Sequence, residues 1–170
     1  MPVHAYGLHW KPEDVDWSGR VNGAWRMPGR VGAHRPGLRV ADLRHQQGIY
    51  VLYGHHGAYY VGLARKQGIG ERIKAHHLTD SHRGMWTNFS WFGFRQVLKT
   101  RDDVGFQRLK HLPNNILSGD DASIADFEAL LIKAMNLQNK QKMRFTSPYV
   151  DQWTQVPARD LARYLAKVNP

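Results

Sequence analysis

The sequence predicts an α+β domain in which helices flank a small three-stranded antiparallel or mixed sheet. Residues 48–63 hold two apolar and aromatic runs that alternate as strands do, and a polar turn separates them. A third aromatic run over 87–98 predicts the remaining strand. Helical patterns occur at 69–78, 124–137 and 158–168. We expect the first 47 residues to form an irregular N-terminal arm.

The composition is that of a folded and strongly basic protein. A chain of 170 residues with 42% hydrophobic residues suits one compact domain. The 24 Lys and Arg exceed the 14 Asp and Glu, and this formal charge of +10 favours a polyanionic partner, because phosphates release counterions when cations bind them. The absence of cysteine excludes disulfides and thiolate metal sites. With no signal-peptide core and no membrane-length apolar stretch, we expect a cytoplasmic protein without a membrane partner.

The predicted arm, residues 1–47, is rich in Gly, Pro and Arg between 19 and 44, a composition that opposes long helices. The remaining residues, 48–170, form the predicted main domain, which includes a polar insertion at 99–122 and a C-terminal helix. Arg30 and Arg35 of the arm are candidates for binding phosphates. The alternative is a solvated loop whose arginines bind nothing specific.

The predicted hairpin carries two tyrosines, Tyr50 and Tyr60, whose relative position is a geometric question. A plain four-residue turn at 54–57 would pair Tyr50 with Val61 and put the tyrosines on opposite faces of the sheet. If both hydroxyls serve one site, the hairpin needs a three- or five-residue connection or a β-bulge, and we predict such an irregular connection. The alternative is that both are packing residues with hydrated hydroxyls.

The predicted helix at 69–78 presents Arg72 and His76 on one face, because they are four residues apart. An arginine can bind a phosphate through two parallel hydrogen bonds and offset charge that develops on it. A histidine can orient a nucleophile or carry a proton near neutral pH. The alternative is a solvated basic face, which also includes Lys74.

The predicted helix at 124–137 carries Glu128 within its apolar arc. That arc contains Ile124, Phe127, Leu130, Leu131, Ala134 and Met135, while Asp126 and Lys133 point away. A carboxylate on a buried face requires a cation or a metal beside it. Glu128 is therefore either half of a structural ion pair or a ligand for a hard divalent metal ion.

These residues, taken in order, resemble the signature of the GIY-YIG nuclease family. The matching positions are Gly48-Ile49-Tyr50, Tyr60-Val61-Gly62, Arg72 with His76, Glu128, and Asn139. The resemblance covers about residues 48–141. It departs from the family pattern at Val61, which replaces isoleucine, and at Gln138, which separates Leu137 from Asn139.

The resemblance implies a metal-dependent endonuclease that hydrolyses phosphodiester bonds in DNA with a single Mg²⁺ or Mn²⁺ ion. Glu128 would hold the metal, Tyr50 would activate the attacking water, and Arg72 would bind the scissile phosphate. Tyr60 and His76 would position water or phosphate.

Asn139, by the same resemblance, would maintain the geometry of the site. We expect further DNA contacts from Arg65, Lys66 and Lys74, besides the two arginines of the arm. Arg65 or Lys66 could also lower the pKa of a neighbouring tyrosine. The substrate is duplex or single-stranded DNA, and cutting a palindrome would require a homodimer. The alternatives are a module on the same fold that binds nucleic acid without cleaving it, and a basic structural protein.

Overall fold

The computed structural model describes residues 3–20, 23–64, 67–112 and 149–169, with Asp126, 129–131 and 133–135. The strands are β1 Ala5–Trp10, β2 Pro28–Val31, β3 Arg39–Asp42, β4 Gly48–Gly54, β5 Gly57–Ala64, β6 Asn88–Gly93, β7 Val97–Arg101, β8 Gln107–Leu109, β9 Asp151–Gln152 and β10 Thr154–Gln155. The helices are α1 Ile69–Leu78 and α2 Leu161–Val168, besides short 3-10 helices at Pro12–Asp14 and Ala158–Asp160 and helical residues between 126 and 135. No helix in the described part of the chain is long and apolar enough to cross a membrane.

The strands form two five-stranded sheets, so the predicted small sheet flanked by helices is wrong. Sheet 1 has the order β5-β4-β6-β1-β9, and sheet 2 has the order β10-β2-β3-β8-β7. The three strands expected from the sequence are present side by side as β5, β4 and β6. They form only part of a larger and mainly β architecture, because strands from both ends of the chain extend sheet 1 beyond β6.

The first 47 residues are not an irregular arm, because they contribute to both sheets. β1 pairs antiparallel with β6 and parallel with β9, which places it inside sheet 1. β2 and β3 pair antiparallel in sheet 2. The Gly and Pro residues that oppose helices are equally compatible with short strands joined by turns, and local composition does not separate the two.

The aromatic run at 87–98 forms two strands in different sheets, which corrects the single strand expected there. β6 ends at Gly93 in sheet 1, and β7 begins at Val97 in sheet 2. Between them the buried Gln46 side chain bonds both the backbone N–H and the carbonyl of Arg95. β7 continues into an antiparallel pairing with β8, so the described part of the predicted insertion belongs to sheet 2.

Three apolar clusters hold the layers together. The first lies on the Tyr50 side of sheet 1, where α1 and residues of sheet 2 such as Ala41 pack on it. The second lies on the other side of sheet 1 and includes Val51, Leu130 and Ala134. The third joins the outer face of sheet 2 to α2. Sheet 1 thus carries a buried apolar cluster on each face.

Gly48, the first residue of β4, is required by close backbone packing. Its φ is +150°, and a Cβ placed there would lie 2.0 Å from the carbonyl oxygen of Phe92 on β6. Because that oxygen belongs to a backbone paired with β4, it cannot move without breaking the pairing.

We predict that Gly48→Ala lowers the free energy of unfolding by at least about 3 kcal/mol, from backbone strain and steric overlap together. Gly37→Ala is the matched control, because the nearest atom to a Cβ there is 4.0 Å away. It should change the stability by less than about 0.5 kcal/mol. Urea unfolding measures both, and equal midpoints for the two variants would contradict this role of Gly48.

Candidate active site

A β-bulge in the β4–β5 hairpin brings Tyr50 and Tyr60 to the same face of sheet 1. Near the turn, Gly54 pairs with Gly57 and Tyr53 pairs with Ala58. The register then shifts, so that Leu52 pairs with Tyr60 and Tyr50 pairs with Gly62. Directly opposed residues share a face, as do residues two apart on one strand. The predicted irregular connection is confirmed, since the unshifted register would have paired Tyr50 with Val61.

Gly62 provides the space in which the Tyr50 ring lies. A Cβ at Gly62 would be 2.2 Å from both Cζ and the hydroxyl oxygen of Tyr50. The ring therefore lies directly over the β5 backbone, and its side chain is fully buried. Position 62 therefore requires a glycine because the ring of Tyr50 occupies the space that a side chain would need.

Helix α1 covers this face of the sheet and is held there by its start. Ile69 and Ile73 are fully buried against the sheet. Gly68 and Gly70 allow the helix start to approach residue 44 closely, since a Cβ at Gly68 would lie 2.1 Å from the carbonyl oxygen of Arg44. The N–H groups of Ile69 and Gly70 bond the carbonyls of Gln46 and Arg44. The helix therefore has a fixed position relative to Tyr50.

A chain of hydrogen bonds links α1 to Tyr50. The Tyr50 hydroxyl lies 2.7 Å from Nε2 of His76, and Nδ1 of His76 lies 2.5 Å from Oδ2 of Asp80. Because the Asp80 carboxylate can only accept, Nδ1 carries the proton in the neutral ring and Nε2 accepts from Tyr50. The buried His76 is thereby oriented at both nitrogens.

Arg72 completes this constellation beside the tyrosines. Hydrogen bonding to Tyr50 raises the pKa of Arg72, and Tyr60 adds to the effect. The Nε of Arg72 is buried and has no hydrogen-bond partner among the described residues. A guanidinium with an unused buried donor is suited to bind an anion.

Burial and their mutual interactions set the pKa values of Tyr50, His76 and Asp80. Burial raises the pKa of Tyr50 to about 12, against the opposing hydrogen bond from Arg72. Burial lowers the pKa of His76, although Asp80 favours its protonated form. Burial disfavours the charged form of Asp80, yet the N–H of His82 and the His76 side chain hold its pKa below the usual value. At neutral pH we therefore expect a phenol, a neutral imidazole and a carboxylate.

Sequence reasoning missed two members of the site, Asp80 and His82. The His82 ring lies 4.8 Å from the Tyr60 ring and 4.9 Å from the His76 ring, measured between centroids. Asp80 lies four residues after His76, and that spacing was the available signal. His76, Asp80 and His82 each offer a ligand atom, and these atoms lie within 4.8 Å of one another.

Glu128 and Asn139 lie outside the described residues, so their assignments stay predictions. Of the four described members of the apolar arc that carried Glu128, Leu130 and Ala134 are buried as expected, but the other two are not. Leu131 and Met135 are exposed, whereas Asp126 is buried and accepts a hydrogen bond from the N–H of Val3. The described part of this helix packs on the face of sheet 1 opposite to Tyr50. Helical periodicity placed Asp126 wrongly because a short apolar arc does not reveal which polar residue finds a buried partner.

The predicted DNA contacts differ in their surroundings. Arg35 is exposed, whereas Arg30 is half-buried. The Arg30 guanidinium donates to the carbonyl of Gly32, and its Cζ lies 5.1 Å from the centroid of the Tyr164 ring. Lys74 is also half-buried, with Nζ 4.5 Å from the centroid of the Trp25 ring. Arg65 and Lys66 lie outside the described residues. Arg30 and Lys74 therefore have protein partners that a DNA contact would have to share.

Comparison of the chain with protein-family models, with curated proteins and with solved structures finds no match.

We predict that Gly62→Ala destabilises the protein by about 1–3 kcal/mol, because the new methyl group overlaps the Tyr50 ring. In a Tyr50→Leu background the same change should cost at least about 1 kcal/mol less, since leucine lacks the overlapping atoms. A double-mutant cycle by urea unfolding measures this coupling. Additive losses would show that the two residues are not in contact.

Proposed function

We propose that this protein is an endonuclease that hydrolyses phosphodiester bonds in DNA. The observation that carries the proposal is the shared face of Tyr50 and Tyr60, against which α1 places Arg72 and His76. These four residues come from three elements, and they are the described residues to which the resemblance assigns a catalytic role. The formal charge of +10 supports a polyanionic substrate.

Arg72 is the residue that would bind the scissile phosphate. Its guanidinium lies against both tyrosines and has a buried N–H without a partner among the described residues. A phosphate oxygen would supply that partner. The fixed positive charge would also stabilise the extra negative charge that forms on the phosphate during displacement.

Tyr50 would accept a proton from the attacking water while its own proton moves to His76. In the resting site burial raises the pKa of Tyr50 to about 12 and lowers the pKa of His76, so a complete transfer before attack is strongly unfavourable. The transfer would therefore accompany the attack, when proton loss from water supplies the driving force. Asp80 would stabilise the imidazolium that forms, through its bond to Nδ1. The 3′ oxygen would leave and take a proton from solvent.

A divalent ion, when bound, would neutralise charge on the scissile phosphate and the leaving oxygen. Glu128, the residue predicted to hold Mg²⁺ or Mn²⁺, lies outside the described residues. Within the described ranges the metal-binding candidate is His76 with Asp80 and His82, and it has two nitrogen donors and a single carboxylate. Mg²⁺ requires oxygen ligands, so these three residues do not fit it.

We predict that Tyr50→Phe and Arg72→Ala each slow DNA cleavage at least about 100-fold, because each removes a group that acts in the transition state. Nicking of a supercoiled plasmid, measured with Mg²⁺ and with Mn²⁺, tests this directly.

Tyr149→Phe and Arg163→Ala are the matched controls, because both side chains are exposed outside the site. They should cleave at the rate of the unaltered protein. Cleavage by Tyr50→Phe at that rate would contradict the mechanism. Tight DNA binding by the unaltered protein without any cleavage would favour the non-cleaving nucleic-acid-binding module.

We also predict that Arg35→Ala reduces the salt dependence of DNA binding by about 0.9 in the slope of log K against log salt, the value for one lost phosphate contact. Arg30→Ala should change this slope less, because Arg30 has protein partners. The slopes are obtained from DNA affinities measured by fluorescence anisotropy at salt concentrations between about 50 and 200 mM. An unchanged slope for Arg35→Ala would return that residue to the solvated-loop interpretation.

A further inference from the structure

His76, Asp80 and His82 lie beside the two tyrosines, since His76 bonds the Tyr50 hydroxyl and the His82 ring lies 4.8 Å from the Tyr60 ring. His76 belongs to the last turn of α1, and the other two follow in the loop after the helix. Their ligand atoms lie within 4.8 Å of one another. Donor atoms bonded to one tetrahedral Zn²⁺ ion at about 2.0–2.2 Å lie about 3.3–3.6 Å apart. Rotations of the half-buried Asp80 and His82 side chains that move their donor atoms by about 1 Å would reach that spacing.

Each of the three ligands has a hydrogen bond through its other polar atom, and a metal ion would replace the bond between Nδ1 of His76 and Oδ2 of Asp80. Nε2 of His76 contacts the Tyr50 hydroxyl, so Nδ1 is the nitrogen that faces Asp80. Nδ1 of His82 contacts the Tyr59 hydroxyl at 3.0 Å, so Nε2 is the nitrogen to expect at a metal.

Asp80 is held in the same way. Its Oδ1 accepts the backbone N–H of His82 at 2.8 Å, which directs Oδ2 towards His76. Metal-binding histidines and carboxylates are typically oriented by such outer hydrogen bonds. The outer partners of the group are therefore already in place for all three ligands.

We propose that His76, Asp80 and His82 form a binding site for one transition-metal ion, with Zn²⁺ as the preferred probe. Two imidazoles and one carboxylate suit Zn²⁺, Co²⁺ and Ni²⁺ better than Mg²⁺ or Ca²⁺. Three protein ligands leave a fourth position for water or another oxygen ligand. With one carboxylate the loaded site keeps a positive charge, next to the guanidinium of Arg72.

The ion and the proton on His76 compete for the same nitrogen. When Nδ1 binds a metal, the ring carries its proton on Nε2 and donates to the Tyr50 hydroxyl, the reverse of the metal-free direction. His76 can then no longer accept a proton from Tyr50. If the proposed nuclease function holds, on which this consequence rests, saturating Zn²⁺ inhibits Mg²⁺-supported cleavage.

The experiment titrates the full chain with Zn²⁺ by calorimetry in the absence of DNA, and follows Co²⁺ by its visible absorption. We expect one ion per chain and a Co²⁺ spectrum of low coordination number. Asp80→Asn and His82→Gln should each weaken binding more than about 100-fold, beyond the 10- to 100-fold that loss of an outer hydrogen-bond partner costs. Tyr59→Phe, which removes only such a partner, should weaken binding less than either.

Two further variants separate this site from adventitious binding. His55 and His56 are adjacent, exposed histidines in the hairpin turn, and their double change to glutamine should leave Zn²⁺ affinity unaltered. Glu128→Gln should do the same, which separates this site from the predicted Mg²⁺ ligand. Circular dichroism verifies that each variant is folded.

The proposal is overturned if the unaltered chain binds no Zn²⁺ at 100 µM, roughly the weak end of affinities for protein metal sites. It is equally overturned if folded His82→Gln binds as tightly as the unaltered chain, or if the change at His55 and His56 removes the binding. These results do not depend on cleavage, so a protein that binds Zn²⁺ but never cuts DNA supports the metal site and contradicts the nuclease. Cleavage that persists with the site saturated overturns the competition between ion and proton.

Discussion

The extra residue of β5 at the hairpin bulge is the constraint on which the site depends. Because side chains alternate along a strand, a shift of one residue exchanges every side chain between the two faces of the sheet. With the shift, Tyr60 joins Tyr50 under α1, and Gly62 falls opposite Tyr50 where only a hydrogen fits. The shifted register also places Val61 and Leu63 of the edge strand β5 on the face of sheet 1 opposite to Tyr50, where both side chains are exposed.

Helix α1 acts as the second half of this arrangement, because its geometry places three functional groups in a row. Arg72, His76 and Asp80 follow one another at four-residue intervals, and the last lies just beyond the helix end. Arg72 interacts with both tyrosine hydroxyls, and His76 bonds the hydroxyl of Tyr50. Asp80 bonds the other side of the His76 ring. A buried phenol and a buried imidazole are costly without partners. Because the Tyr50 hydroxyl and the His76 ring bond each other, both polar side chains can be buried against the apolar core.

Sheet 2 and the strands added to sheet 1 have no direct part in this chemistry, yet they determine its surroundings. β1 and β9 extend sheet 1 on the side away from the hairpin, and Trp10 and Trp153 of this region join the cluster that also contains Tyr50. Trp17 stacks near both Trp25 and His77, so the segment before β2 packs along α1. The N-terminal region thus supports the helix that carries Arg72 and His76. It is part of the folded core and not the irregular arm expected from the sequence.

The sequence by itself determined the elements whose signals are local. Alternation defined β4 and β5, the Gly-rich start and apolar spacing defined α1, and Pro157 preceded the final helix. It also named Tyr50, Tyr60, Arg72 and His76 as candidate site residues, and it predicted the register condition under which the two tyrosines meet. Only the tertiary structure decided that the condition is met, that β1 pairs with the distant strand β6, and that Asp80 and His82 lie beside His76. The physical reason is the same in each case. Strand pairing and the burial of polar side chains are chosen by the packing of distant segments, whereas periodicity and turn chemistry act over a few neighbouring residues.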